Sequence, residues 1–264
     1  MKIGIFDSGV GGLIIMKAIC KKIPEYDYVY IGDTKRVPYG GRSHATIYDF
    51  TCEALDYFFK KENCKIVILA CNTASSRALR KIQKVYIPKY FPDRKVIGVL
   101  IPSAEECINS KKVGIIATKG TVNSNTFPLE INKLNPQIKI FQNPAPLLVP
   151  IIEEGDYEFA LPILQKYLKP ILNKKIDTLV LGCTHYPILK NEVRGTVGGK
   201  VRVISQDEII PEKLKEYLSR HSEIEKKLTK SKKIKILFTD ITPTVEKLSQ
   251  KWFGGNIKTK LIKL

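Results

Sequence analysis

The chain has 264 residues, of which 44% are hydrophobic, so it can bury a full core and has room for two domains of ordinary size. Its apolar runs fall short of the roughly 18 residues of a membrane span, and residues 1–6 are too short for a signal peptide, so we expect a cytoplasmic protein without a membrane partner. The formal net charge is +18, but only eight of the 44 basic residues are arginine and the lysines are scattered, apart from a cluster within residues 226–235. We therefore predict that nucleic acid is not the primary partner.

The first half of the chain predicts alternating strands and helices. Apolar runs of five or six residues without alternation are typical of strands buried on both faces of a parallel sheet. In chain order we predict a strand at 1–7, a helix at 13–22, a strand at 28–31, a helix at 46–61, a strand at 65–69, a helix at 75–86 and a strand at 96–99. The turn with Gly9, Gly11 and Gly12 does not fit the dinucleotide-binding glycine pattern, which disfavours nucleotide binding.

The second half predicts a similar order of elements. We predict a strand at 113–117, a helix from about 122, a long helix at 157–172, a strand within 177–182 and a strand at 201–204. A helix at 211–220, a strand at 234–238 and a helix at 244–252 follow. The predicted divisions are a first α/β lobe at 1–97, a second at 98–206, and a segment at 207–264 that returns to the first lobe.

The two halves contain matching stretches, and each has a cysteine just after a buried strand. Residues 2–8 resemble residues 112–118, and the strand before Cys71 resembles the strand before Cys183 at nearly the same offset. Ligands bind at the carboxyl ends of strands in open α/β sheets. The predicted fold class is therefore α/β, with two pseudo-symmetric, doubly wound parallel-sheet lobes and the active site in the cleft between them.

Two opposed thiols suit proton transfer on both faces of one carbon atom. A helix N-terminus lowers the pKa of a cysteine, and we expect one after each of the two cysteines. If one thiolate removes a proton and the opposite thiol delivers another, the stereocentre is inverted. A thiol hydrolase with Cys183 and His185 is an alternative, but it leaves Cys71 without a role.

The other cysteines, Cys20, Cys52, Cys64 and Cys107, form no Cys-x-x-Cys pair with one another or with these two. They are predicted to be small core or helix residues. Neither a disulfide framework nor a zinc site is indicated, and we predict no cofactor and no metal.

Four motifs together resemble those of the glutamate racemase family, within the cofactor-independent aspartate/glutamate racemase superfamily. They are Asp7-Ser8-Gly9-Val10-Gly11-Gly12, Pro38-Tyr39-Gly40, Ala70-Cys71-Asn72-Thr73-Ala74-Ser75 and Gly182-Cys183-Thr184-His185-Tyr186-Pro187. They occur in the family's order and at compatible spacings through the whole chain. The resemblance implies interconversion of L- and D-glutamate without pyridoxal phosphate, for bacterial peptidoglycan.

The resemblance also implies roles for individual residues. Cys71 and Cys183 would be the opposed acid/base pair, assisted by Asp7 and His185. The amino acid substrate would be bound by the following residues: Asp7, Ser8, Tyr39, Gly40, Asn72, Thr73, Thr184 and His185. Asp33 and Glu153 resemble further acidic positions of the family near the site.

Two segments depart from the family pattern. Ile101 precedes Pro102 where an acidic residue is usual, and Ser205-Gln206 stands where Asp-Ser is common. Neither touches the cysteine motifs. An aspartate racemase and a basic nucleic-acid-associated regulatory protein remain as alternatives, and a homodimer is expected without an identifiable interface.

Overall fold

The computed structural model describes residues 1–255 and 257–264. Over these residues the strands are β1 Lys2–Asp7, β2 Tyr28–Gly32, β3 Cys64–Leu69, β4 Lys95–Gly98, β5 Lys112–Ala117, β6 Lys139–Pro144, β7 Thr178–Gly182, β8 Arg202–Ile204, β9 Ile234–Phe238 and β10 Thr259–Leu261. The first α-helices are α1 Gly12–Lys22, α2 His44–Asp56, α3 Asn72–Arg77, α4 Leu79–Lys81, α5 Ile87–Tyr90, α6 Leu100–Glu105 and α7 Lys119–Asn123. The later ones are α8 Thr126–Leu134, α9 Leu148–Glu154, α10 Tyr157–Leu172, α11 Lys190–Val197, α12 Gln206–Arg220, α13 Ser222–Glu225 and α14 Pro243–Phe253.

The strands form two parallel sheets with the same internal order. One sheet has the order β10-β9-β2-β1-β3-β4, and the other has the order β6-β5-β7-β8. Without β9 and β10, each sheet places its second strand at one edge, then its first, third and fourth. Cys71 follows the third strand of the first sheet, and Cys183 follows the third strand of the second. The α/β class with two doubly wound lobes is therefore confirmed.

The end of the chain joins the first sheet. β9 pairs in parallel with β2, and β10 pairs with β9. One buried cluster contains Ile5 of the first sheet, Leu181 of the second, Leu214 of α12 and Trp252 of α14. The lobes thus share part of their core. The residue limits of the three divisions (1–97, 98–206 and 207–264) stay a prediction.

Helix boundaries differ from the predicted ones where capping and backbone breaks decide them. The helix predicted at 75–86 begins at Asn72 and is interrupted at Ala78, whose φ is −112°. The helix predicted from 122 is two helices, because Asn125 adopts a left-handed conformation with φ 53°. The helix predicted at 211–220 begins at Gln206 and contains Pro211. The helix predicted at 46–61 is helical from His44, with π geometry from Tyr57 to Lys61.

Several short elements were not predicted. β6 and β10 are edge strands. The β6 residues are half-buried or exposed, so the β6 sequence lacks the continuous apolar run of a central strand. The short helices α6, α9 and α11 were also missed. None of the helices in residues 1–255 and 257–264 is long and apolar enough to span a bilayer.

Gly4 and Gly114 occupy equivalent positions in the first strands of the two lobes, and both face a packed side chain. A Cβ atom at Gly4 would lie 2.8 Å from Phe58, and one at Gly114 would lie 2.3 Å from Ile171. We expect Gly4→Ala and Gly114→Ala each to reduce the free energy of unfolding by about 1–3 kcal/mol through overpacking, measured by denaturant titration.

Gly195 provides the matched control, because it lies in α11 and a Cβ atom there meets nothing within 4 Å. Gly195→Ala should leave stability unchanged or raise it by about 0.5–1 kcal/mol, since alanine favours helix. If Gly4→Ala and Gly114→Ala unfolded at the same denaturant concentration as the unsubstituted protein, the packing argument would be contradicted.

Candidate active site

A cavity of about 480 Å³ lies between the lobes and is lined by both of them. Most of the predicted site residues line it, namely Ser8, Tyr39, Gly40, Cys71, Asn72, Thr73, Cys183, Thr184 and His185. The cavity thus brings both cysteine motifs to one space. Asp7 is the exception, since it lies buried outside the lining.

Cys71 caps the start of α3 and is buried beneath the cavity. The residue is 5% exposed. The thiol donates to the Ser8 hydroxyl at 3.4 Å, and the Ala74 N–H donates to the sulfur at 3.5 Å. Burial, together with the charge of Asp7, raises the pKa of Cys71 to about 12, although these hydrogen bonds act in the opposite direction. The expected lowering by the helix start is therefore outweighed by desolvation.

Cys183 lies opposite, beside the imidazole of His185. The sulfur is 3.8 Å from His185 Nδ1, and His185 Nε2 is 2.8 Å from a carboxylate oxygen of Glu153. No α-helix starts at Cys183, because the next helical residues form a 3-10 turn from Tyr186 to Leu189. The predicted helix N-terminus is therefore absent here, and an imidazole is the nearest polar partner of this thiol.

The surroundings of His185 favour its protonated form. Burial alone lowers the pKa of the imidazole, but its interactions with Cys183 and Glu153 raise the pKa to about 10. Trp252 packs its ring against the imidazole edge at a centroid distance of 5.4 Å. A protonated His185 can hydrogen-bond a thiolate at Cys183 and the Glu153 carboxylate at the same time.

Asp7 lies behind the glycine-rich turn. One carboxylate oxygen accepts hydrogen bonds from the Gly9 and Gly12 N–H groups at 3.2 and 3.1 Å. The other, Oδ1, has no partner within the described residues. Burial raises the pKa of Asp7, against the effects of His185 and the two N–H groups. Asp7 thus fixes the turn and adds a negative potential near Cys71.

Some predicted substrate-binding side chains are already engaged within the protein. The Tyr39 hydroxyl donates to Asp33 at 2.5 Å, which places Asp33 behind Tyr39 and outside the cavity lining. Asn72 exchanges two hydrogen bonds with Gln206. At Tyr39 the carboxylate behind the ring thus fixes the hydroxyl, so the ring forms a rigid part of the cavity wall.

Thr73 and Thr118 join the lobes at the cavity wall. Their hydroxyl oxygens are 2.9 Å apart, and Thr118 was not predicted as a site residue. A signal for it existed, because Ser8 and Thr118 are the last residues of the two matching stretches 2–8 and 112–118. Each hydroxyl follows the first strand of its lobe and faces the same cavity.

Other cavity residues were not named as site residues from the sequence, apart from Glu153, which was placed near the site, and Pro38, which belongs to a quoted motif. Lys119 and Glu154 add charge at the wall, and Glu153 lines it as well. Apolar atoms come from Val37, Pro38, Pro146, Val149 and Pro150. Within residues 1–255 and 257–264, no group of three histidine, cysteine or acidic side chains is arranged to hold a metal ion.

Gly11 lets the two lobes approach closely beside His185. A Cβ atom at Gly11 would lie 2.5 Å from both the imidazole and the Thr184 hydroxyl. The glycine-rich turn of the first lobe therefore packs directly on the cysteine loop of the second. This contact requires a residue without a side chain.

Comparison with known proteins gives consistent results over the whole chain. The model of the Asp/Glu/Hydantoin racemase family matches residues 13–210. A glutamate racemase from a Sulfurihydrogenibium species is 38% identical over 270 residues, covering 100% of this chain and 98% of that protein.

Two solved structures are similar as well. The glutamate racemase of Francisella tularensis in complex with D-glutamate is 33% identical, with a TM-score of 0.89 over 99% of this chain and 97% of that one. The glutamate racemase of Aquifex pyrophilus is 36% identical, with a TM-score of 0.80 over 99% and 98%. The chain therefore belongs to the Asp/Glu/hydantoin racemase family, resembles its glutamate racemases over its full length, and is an enzyme of the amino-acid racemase class.

Proposed function

We propose that this enzyme interconverts L- and D-glutamate by proton transfer between Cys71, Cys183 and the two faces of the α-carbon, without a cofactor. The observation that carries the proposal is that the cysteines following the third strand of each lobe line one cavity. Glutamate as substrate is supported by the glutamate racemases that the chain resembles, one of which was solved with D-glutamate. The proposed cellular role is the supply of D-glutamate for bacterial peptidoglycan.

The proposed reaction needs one thiolate and one thiol at the start. The high pKa of Cys71 keeps this thiol protonated, while a protonated His185 stabilises a thiolate at Cys183. The Cys183 thiolate then takes the α-proton from one enantiomer, and the Cys71 thiol delivers its proton to the opposite face. Cys183 ends as the thiol and Cys71 as the thiolate, which is the starting state for the other enantiomer. Protons and charge are thus conserved in each direction.

The Cys71 thiolate is costly to form. It forms in a buried site near Asp7, so its main stabilisation comes from the Ser8 hydroxyl and the Ala74 N–H. The negative charge that develops on the α-carbon also needs compensation from fixed dipoles and the substrate ammonium.

The remaining predicted site residues are proposed to bind the two carboxylates and the ammonium group. The available donors and acceptors at the wall include the hydroxyls of Ser8, Thr73, Thr118 and Thr184. Lys119 provides a cation for a carboxylate, and Glu153 provides an anion for the ammonium group. Tyr39 and Gly40 would contribute from the segment that follows β2.

Racemisation of aspartate is the main alternative, since one methylene changes binding by only about 1–3 kcal/mol. A thiol hydrolase would release ammonia from glutamine, and a nucleic-acid-associated protein would shift DNA in a salt-dependent gel assay. A homodimer stays a prediction.

The purified protein, without pyridoxal phosphate or added metal, should convert either glutamate enantiomer to the racemate, followed by circular dichroism. We expect the rate to persist after exhaustive chelation and after treatment with a carbonyl reagent, because the proposed chemistry uses only side chains. L-aspartate and glutamine are the comparison substrates. Loss of activity after either treatment, or faster conversion of aspartate than of glutamate, would count against the proposal.

Cys71→Ser and Cys183→Ser should each lower racemisation by roughly 10²–10⁴-fold, because each removes one acid/base group. A glutamate analogue with a leaving group on the β-carbon isolates the first proton transfer, since the carbanion then expels the leaving group. The two variants should eliminate from opposite enantiomers, because each retains the thiol on one face. Cys20→Ser, at a half-buried cysteine outside the cavity, is the control. Elimination from the same enantiomer by both variants would disprove the two-base mechanism.

Glu153→Gln should lower the pKa of His185 from about 10, because the Glu153 carboxylate is one of the groups that raise it. Protonated His185 stabilises the fold fully below the unfolded pKa of 6.5, and this contribution is lost as the pH rises through about 10. In the Glu153→Gln variant, the stabilisation that protonated His185 contributes should therefore be lost at a lower pH. NMR titration of labelled histidine reports the shift, with His44 and His221 as internal references and Glu154→Gln as the control. Unchanged titration of His185 would remove Glu153 from its proposed role.

A further inference from the structure

The chain crosses between the lobes twice, and both crossings meet at Gln206. α6 connects β4 of the first sheet to β5 of the second, and α12 connects β8 back to β9 of the first. Gln206, the first residue of α12, is fully buried and donates from Nε2 to the Ser103 hydroxyl of α6 at 3.2 Å. Ser103 in turn donates to the Val99 carbonyl oxygen at 2.8 Å. The two crossings are thus joined by side-chain hydrogen bonds.

Gln206 also contacts the residue that follows Cys71. Asn72 Nδ2 donates to Gln206 Oε1 at 2.7 Å, and Gln206 Nε2 donates to Asn72 Oδ1 at 2.8 Å. The two amides therefore form a reciprocal pair, with Asn72 only 2% exposed. The pair fixes which way the Asn72 amide points, and Asn72 itself lines the cavity.

The contact acts on the start of α3, where Cys71 lies. The Cys71 carbonyl oxygen accepts from the Ser75 N–H at 2.8 Å, and its sulfur accepts from the Ala74 N–H. Asn72 is the first residue of α3, so the amide pair is attached to the turn that Cys71 caps. Among the hydrogen bonds of residues 1–255 and 257–264, none ties Thr184, the residue after Cys183, to α6 or α12. The constraint therefore applies to only one of the two thiols.

We propose that Gln206 is a positioning residue: through Asn72 it holds the Cys71 thiol in its reactive position and couples that position to the two lobe crossings. The inference rests on the proposed two-thiol reaction.

Overall racemisation cannot show an effect on one thiol. Two enantiomers have equal free energy in an achiral solvent, so the equilibrium constant is one and kcat/KM must be the same in both directions. A slower step at Cys71 lowers both directions equally. Elimination from the two enantiomers of a β-substituted glutamate separates the thiols, because each enantiomer presents its α-proton to a different thiol.

The decisive variant is Gln206→Met, which keeps the side-chain length and removes all three hydrogen bonds. We expect elimination from the enantiomer that Cys71 serves, the one retained by Cys183→Ser, to slow by roughly tenfold to a hundredfold. Elimination from the other enantiomer should change by less than about twofold. Asn143→Leu is the matched control, because it removes another partly buried amide, which donates to the Tyr167 carbonyl oxygen at 2.7 Å in the second lobe. It should slow neither reaction selectively.

Gln206→Glu serves as a second variant if the methionine variant unfolds. It retains an acceptor for Asn72 Nδ2 but loses the donor to Asn72 Oδ1, so the same selective loss is expected. Equal slowing of both enantiomers in a folded variant, or no slowing, would overturn the positioning role.

Thiol alkylation with peptide mapping provides a readout that needs no turnover. Loosening the start of α3 should let water and reagent reach Cys71, so alkylation of Cys71 should become several-fold faster while that of Cys183 is unchanged. If the unsubstituted protein neither racemises glutamate nor eliminates the leaving group from the analogue, the proposed function fails. The ratio of the alkylation rates of Cys71 and Cys183 still decides whether Gln206 positions Cys71. If this ratio were the same in the variant and the unsubstituted protein, the inference would be overturned independently of activity.

Discussion

The contact between the start of α3 in the first lobe and the start of α7 in the second sets the geometry of the whole site. Thr73 and Thr118 meet there through their hydroxyls, and Arg77 donates to the Gly120 carbonyl oxygen at 3.0 Å. A Cβ atom at Gly120 would lie 2.8 Å from the Gly40 carbonyl oxygen, so the backbones touch directly. Two separate sheets can share one substrate only if their strand ends are held face to face in this way.

Duplicated topology explains why both thiols reach the cavity, but the duplication does not make their surroundings equal. Cys71 caps an α-helix near a buried carboxylate, whereas Cys183 lies beside an imidazole that Glu153 keeps protonated. The two sulfurs thus meet different neighbours, and only at Cys71 does burial raise the pKa of the thiol. A two-base reaction needs one thiolate and one thiol at its start, since two thiolates or two thiols cannot both remove and deliver a proton.

The return of the chain to the first sheet adds a second constraint. α12 and α14 pack in a core shared by both lobes, and Trp252 of α14 contacts His185. α12 begins at Gln206, whose amide contacts Asn72 beside Cys71. Trp252 of the C-terminal segment and Gln206, at the start of the helix that leads into that segment, thus contact residues near the two thiols. A segment that appears from sequence to be an addition to the repeat is in the structure part of the support of the site.

The sequence alone determined the central strands, the duplicated order and the cavity position of both cysteine motifs, because continuous apolar runs and strand-end polar residues are local signals. It did not determine the edge strand β6, the breaks at Ala78 and Asn125, or the burial of the thiols. The raised pKa of Cys71, the protonated state of His185 and the pairing of Gln206 with Asn72 depend on residues far apart in the chain. Desolvation and hydrogen-bond partners are properties of packing, so only the tertiary structure decided them.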